Sequence, residues 1–301
     1  MDLTGYYWTI ILFDTHCPLL YCLMKHLRNM PEPTKEDCAF APDYSLGSST
    51  LNGVDASQNI LMTEEQRSAS GPLLHNDDEI LAIADMVATS AFTGVAADER
   101  AFKSVLEHQG VLHLAMHAYS SGETERSGLV FRTPNHPTEE VRSGEFPGAE
   151  DGVFHSYELL TRKLNTGLLI LSACETGYGE IESGEGVRSI ARSFMLAGAR
   201  NTISSLWKVD DLATKEIMVK FYEFLAEGMG KADALAEAKR WYRRTYPNEP
   251  PSKWAAFILI GDNEPVHLKK RSPVKPWMVG GAIAAAAAAV VLARRRRRMA
   301  A

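Results

Sequence analysis

Cysteine is scarce in this chain: Cys17, Cys22, Cys38 and Cys174 are the four thiols among 301 residues, at irregular spacings. That is too sparse for the disulfide framework of a small secreted domain, so a reducing compartment is expected. His16-Cys17, Cys22 and His26 match the spacing of no common zinc finger, and no metal site is expected. The sequence also lacks a Gly-x-Ser-x-Gly elbow, a His-Glu-x-x-His pair and a Walker A string. Serine hydrolase, zincin and P-loop readings are therefore without support. Gly177, Gly179, Gly184 and Gly186 do not have the spacing of a dinucleotide fingerprint, and no cofactor is expected. No repeat of solenoid period is visible. The apolar run Tyr6 to Phe13 has neither a basic stretch before it nor a small-residue cleavage site after it, so it does not read as a signal peptide and the cytosol is the expected location.

Positive charge is outnumbered over most of the chain. The formal net charge is −6, but nine of the 32 basic residues follow residue 268, whereas all 38 acidic residues precede it. The body thus sets 23 basic against 38 acidic side chains, a net −15. Such a surface repels phosphate backbones and disfavours nucleic acid as a partner, while it suits a basic peptide.

With 45% hydrophobic residues, the length accommodates one large α/β domain with extensions. Residues 1–76 give mixed signals, with a Pro-, Ser-, Asn- and Gly-rich stretch from Pro31 to Gly71 that reads as loop or disorder. From Asp77 the pattern tightens. Ile80, Ile83, Ala84 and Val87 lie at helical spacing, and Asp98 can cap a second helix that buries Phe102, Val105 and Leu106. Val111 to Ala118 and Gly167 to Ala173 read as buried strands, Gly128 to Phe131 as part of a hairpin, and Arg132 to Gly152 as a long polar surface loop. A short helix is expected over Tyr157 to Leu164, and a longer one from Val187 to Ala197, closed by Gly198. The strand Asn201 to Trp207, helices Leu212 to Ala226 and Ala232 to Tyr242, and a last strand Trp254 to Ile260 complete the series. Strands separated by helices imply βαβ units and a mostly parallel sheet covered on both faces.

The tail is distinct. Residues 263–276 form a basic linker, and residues 277–293 form an uncharged, alanine-rich candidate transmembrane helix. Residues 294–301 are a basic tail containing Arg294 to Arg298. An alanine-rich soluble or interfacial helix is the competing reading, because alanine supplies little transfer energy.

Parallel sheets gather functional groups at the carboxyl ends of their strands. His117 ends one expected strand and Cys174 ends another. If those strands are neighbours, imidazole and thiol face each other, and a histidine so placed can take the thiol proton to leave the nucleophilic thiolate. The backbone N–H groups of Cys174 and Ala118 are the candidate oxyanion donors. The bland reading of Cys174 alone is a small buried apolar residue.

The strings around these residues narrow the choice. His113-Leu-Ala-Met-His117, Leu169-Ile-Leu-Ser-Ala-Cys174-Glu-Thr-Gly177, Gly184-Glu-Gly-Val187, Ala197-Gly-Ala199, Ser205-Leu-Trp-Lys-Val-Asp-Asp211 and Trp254-Ala-Ala-Phe257 stand in an order that resembles CHAT domains. These are clan CD, caspase-like cysteine peptidases related to separase. The resemblance covers about Asp77 to Gly261 and assigns residues 77–262 to the domain. It implies a caspase-like three-layer α/β/α fold with a mostly parallel central sheet, a His117–Cys174 dyad, and His113 as a strand-interior residue. It further implies that Asp211, or less readily Asp210, receives a basic substrate side chain; the alternative is that Asp211 merely caps the helix that follows. Ala118 stands where the family most often has glycine, and no array of tetratricopeptide repeats is visible ahead of the domain. The function expected is a cysteine endopeptidase acting on a protein substrate, under an activating protein partner and with a candidate membrane tether. The competing class is a catalytically inactive interaction module of the same fold.

Overall fold

The computed structural model describes residues 37–42, 73–107, 110–119, 127–131, 152–172, 181–182, 186–187 and 189–271. The described residues through Lys269 form one compact unit; beyond it only Lys270 and Arg271 are described. Cys174 and the candidate helix 277–293 both lie outside the described residues, and among those described no helix is long and apolar enough to cross a membrane.

In chain order the elements are β1 (Asp37–Pro42), α1 (Asn76–Met86), β2 (Ser90–Gly94), α2 (Glu99–Val105), β3 (Val111–Leu114), β4 (His117–Tyr119), β5 (Gly128–Val130) and β6 (Val153–His155). A 3-10 helix (Ser156–Thr161) precedes β7 (Leu168–Leu171), β8 (Ile181–Glu182), β9 (Gly186–Val187) and α3 (Ile190–Ala197). The chain continues through β10 (Thr202–Ser205), α4 (Asp211–Ala226), α5 (Lys231–Thr245), the single turn α6 (Pro251–Trp254) and β11 (Phe257–Ile260).

Six strands make the central sheet in the order β11-β10-β7-β3-β1-β2. All neighbours run parallel except β11, which is antiparallel to β10. Side chains alternate across it as strand geometry requires. Val111, Leu168, Ile170 and Ile203 pack with α4 and α5 through Ile217, Phe221, Leu225, Leu235 and Tyr242. Leu112, Leu114, Leu169 and Leu171 face the other way, against Phe102 of α2 and Phe194 of α3. Helices thus cover both faces of a mostly parallel sheet, as the βαβ alternation required.

The helix ends follow local chemistry. Asp98 accepts from the Ala101 N–H at 2.7 Å and Ser189 from the Arg192 N–H at 3.3 Å, each satisfying a first-turn donor. Gly198 closes α3 at φ 129°, and a Cβ there would lie 2.0 Å from the Leu164 carbonyl oxygen, so only glycine fits.

Three of the differences from the sequence reading shape the sheets around the strand ends. The stretch Pro31 to Gly71 contains β1, which lies inside the sheet between β3 and β2, with Phe40 opposite both Leu114 and Phe92. Prolines on either side and a run of only four apolar residues, Cys38 to Ala41, hide it from any periodicity test. The run Val111 to Ala118 is two strands rather than one. Ala115 donates its N–H to the Phe40 carbonyl at 2.9 Å, but its own carbonyl faces the Asn76 amide at 3.4 Å. The chain then turns at Met116 into a second, antiparallel sheet, β4-β5-β6. Ala115 and Met116 stay buried through that turn, so hydropathy does not register the break. Likewise the expected last strand begins as a turn of helix, α6, before β11.

Candidate active site

The carboxyl ends of β1, β3 and β7 and the amino ends of α1 and α4 converge on one edge. Asn76, buried at the start of α1, donates its amide to the Pro42 carbonyl at 3.0 Å as well as to that of Ala115, tying the ends of β1 and β3. β3 and β7 are direct parallel neighbours with Leu114 opposite Leu171. The Ser172 N–H continues the ladder to the Leu114 carbonyl at 3.1 Å.

His117 opens β4, three residues beyond the last residue of β3, and is 7% exposed. It sits opposite Val130, and Ala118 opposite Leu129, in the small antiparallel sheet. Position 174 is three residues beyond the last residue of β7, but Cys174 itself is outside the described residues, and so is the geometry of its backbone N–H. The structure therefore brings together the two strands whose exits lead to the expected dyad.

A small cleft, with room for about one water molecule, lies at this edge, lined by Asn76, Glu79, Met116, Ser172, Asp211 and Thr214 among others. Among the described residues that line it, two, Glu79 and Asp211, are carboxylic acids and none is a cation. Asp211 belongs to this lining, and its Oδ2 accepts the His75 backbone N–H at 2.8 Å. The helix-capping role falls to its neighbour: Asp210 Oδ1 accepts from the Ala213 N–H at 3.0 Å at the start of α4. Trp207, from the same string, is half-exposed and donates its indole N–H to the Ser252 carbonyl at 2.7 Å.

Below the cleft, His113 is fully buried. Its Nε2 is 2.8 Å from Glu79 Oε1 and 3.2 Å from Ser172 Oγ, and its Nδ1 is 3.2 Å from the Tyr222 hydroxyl. Burial holds the Tyr222 phenol well above its usual range, with the Asp37 and Glu79 charges adding to the shift. Sequence reasoning placed His113 inside a strand but missed these partners. Glu79, in the first turn of α1, is 1% exposed, and nothing in its local sequence marks it as buried. Among the described residues no cluster of His, Cys, Asp or Glu is arranged to hold a metal ion.

The comparisons with known proteins agree with this architecture. A family model described as "CHAT domain" matches residues 34–262, a span that takes in β1 and runs through β11. Tetratricopeptide repeat protein 28 of Mus musculus is 25% identical over 264 residues, covering 79% of this chain and 10% of the relative. The Homo sapiens protein of the same name is 24% identical over 259 residues, with the same coverage. The chain spans about a tenth of the length of these curated relatives.

Proposed function

The chain belongs to the CHAT domain family, which is caspase-like, and on that premise we propose that it is a cysteine endopeptidase with Cys174 as nucleophile and His117 as its partner. The observation that carries this reading is the pairing of β3 with β7, Leu114 opposite Leu171, beside an acidic cleft. His117 and Cys174 follow these two strand ends at equal distances along the chain.

In this mechanism the His117 imidazole takes the Cys174 proton. The thiolate attacks the scissile carbonyl, forming a carbon–sulfur bond, and the oxyanion is met by the backbone N–H groups of Ala118 and Cys174. The C–N bond then breaks, the amine leaving with the proton held by His117. Water, deprotonated by the same imidazole, hydrolyses the thioester and restores the thiol. Asp211 receives a basic side chain on the acyl side of the bond, a reading supported by its place in the cleft lining and by the capping of α4 by Asp210 instead.

The test is labelling of the full chain with a peptidyl acyloxymethyl ketone carrying arginine next to the warhead. Labelling is expected in the wild type and is lost in Cys174→Ala and in His117→Ala. A folded wild-type protein that takes no label, alone or with candidate activating partners, overturns the peptidase reading and leaves an interaction module. Equal labelling by arginine and leucine probes removes the role of Asp211 alone.

A further inference from the structure

The dyad chemistry makes no use of the buried polar group beneath the cleft, and burying it is costly. An imidazole and a carboxyl at 0% and 1% exposure give up hydration that an apolar pair would not have to give up. The rest of this face of the sheet is packed with such apolar pairs, Val111, Ile170 and Ile203 against Ile217 and Phe221. The polar group sits instead at the strand exits, and its contacts run as one continuous chain. Tyr222 keeps its proton, because burial holds the phenol well above its usual range, and its hydroxyl is hydrogen-bonded to His113 Nδ1 at 3.2 Å, the ring tautomer setting which of the two donates. The Ser172 hydroxyl lies within hydrogen-bond distance of Nε2 at 3.2 Å, and Glu79 Oε1 is 2.8 Å from the same nitrogen as a charge contact outside hydrogen-bond geometry. The Ser172 hydroxyl in turn donates to the Leu114 carbonyl at 3.3 Å, the same oxygen that accepts the Ser172 N–H. The Tyr222 ring lies nearly parallel to the imidazole, 13° between planes and 5.6 Å between centroids, which limits rotation of His113.

The chain of contacts joins α1, β3, α4 and the first residue beyond β7. We propose that Glu79, His113, Tyr222 and Ser172 form a positioning brace that sets the spacing between the exits of β3 and β7, and through it the approach of His117 to Cys174. This rests on the peptidase reading above for the role of the dyad. None of the four is a catalytic residue: Ser172 precedes the nucleophile by two positions, and His113 precedes the catalytic histidine by four. The brace acts on orientation, where a misplacement on the order of 1 Å costs up to about a hundredfold in rate.

The experiment compares wild type, Ser172→Ala, Ser172→Thr, Tyr222→Phe and His117→Ala in the full chain. Two readouts are taken: labelling kinetics with the arginyl ketone, and the rate of Cys174 carboxamidomethylation by iodoacetamide, followed by peptide mass spectrometry. A brace predicts that Ser172→Ala and Tyr222→Phe lower the maximal labelling rate about tenfold or more while the half-saturating probe concentration stays unchanged. Ser172→Thr, which keeps the hydroxyl, restores the rate. Iodoacetamide rates at Cys174 shift in the same order. Wild-type rates in both Ser172→Ala and Tyr222→Phe, in proteins that melt within a few degrees of wild type, overturn the brace. So does a loss in Ser172→Ala that Ser172→Thr fails to restore. The peptidase reading fails separately, by a wild type that the ketone does not label and by a His117→Ala variant that iodoacetamide modifies at the wild-type rate. In that case the iodoacetamide rates of the Ser172 and Tyr222 variants alone decide for or against the brace.

Discussion

The two faces of the central sheet are built on different principles. Against α2 and α3 the sheet meets aromatic side chains, while the charges of that layer, Glu99, Lys103 and Glu158, pair with one another: Phe102 lies 5.6 Å from Phe40, 5.1 Å from Phe131 and 5.0 Å from Phe154, ring centre to ring centre, and Phe40 stacks on Phe92 at 4.5 Å. Against α1 and α4 the apolar packing is interrupted by His113, Glu79 and Tyr222, and that interruption lies under the cleft. The contrast separates two tasks. Non-directional aromatic burial holds the layers together, whereas directional hydrogen bonds hold two strand exits at one spacing.

That division can be broken most sharply on the aromatic face. Phe102→Ala is expected to cost about 3–5 kcal/mol, from lost transfer energy and a cavity among three other rings. Denaturant unfolding checks the loss, and the fraction that remains folded should keep the wild-type labelling rate at Cys174. A labelling rate that falls in that folded fraction would show that the two faces are not separable.

A smaller effect tests the amino end of the sheet's core strand β1. Burial pushes the Asp37 carboxyl up to about 6 from the usual 3.8, although its hydrogen bond from the Val111 N–H at 2.9 Å pulls the other way. A raised carboxyl binds its proton more tightly when folded. Its stabilising contribution is therefore complete below about pH 4 and is lost as pH rises through 6. With partial solvent access the loss amounts to about 2 kcal/mol. Asp37→Asn keeps the acceptor and removes the charge, so it should flatten the stability profile between pH 4 and 7 and be the more stable protein at pH 7. Urea unfolding at a series of pH values reads this directly.

The smallest effect distinguishes adjacent aspartates. Asp210→Ala removes the cap of α4 and should lower stability by about 1 kcal/mol, seen as a drop in the thermal midpoint. It should leave the choice of peptide unchanged. Asp211→Ala should do the reverse, with selectivity for a basic side chain lost and a smaller change in the midpoint. If the two variants behave alike, the division between cap and cleft residue is wrong.

Much of this was legible locally. The spacing of Ile80, Ile83, Ala84 and Val87 marks α1, and Asp98 and Gly198 mark helix ends, because capping and periodicity are properties of short windows. β2 carries Phe92 as its only large apolar residue and gives no such signal. The assignment of the cap was ambiguous for a related reason. Two consecutive aspartates before a helix satisfy the same local rule, and only the His75 N–H, far away in sequence, engages Asp211.

From its sequence alone this protein was determined to be a layered α/β domain with His117 and Cys174 beyond the ends of apolar strands, since hydropathy and the order of motifs along the chain suffice for that. Tertiary structure decided the rest. It placed β1 inside the sheet, set β3 beside β7, and surrounded His113 with Glu79, Tyr222 and Ser172. Strand order and buried polar partnerships join residues that no local window contains, and their energies depend on what else is excluded from water around them.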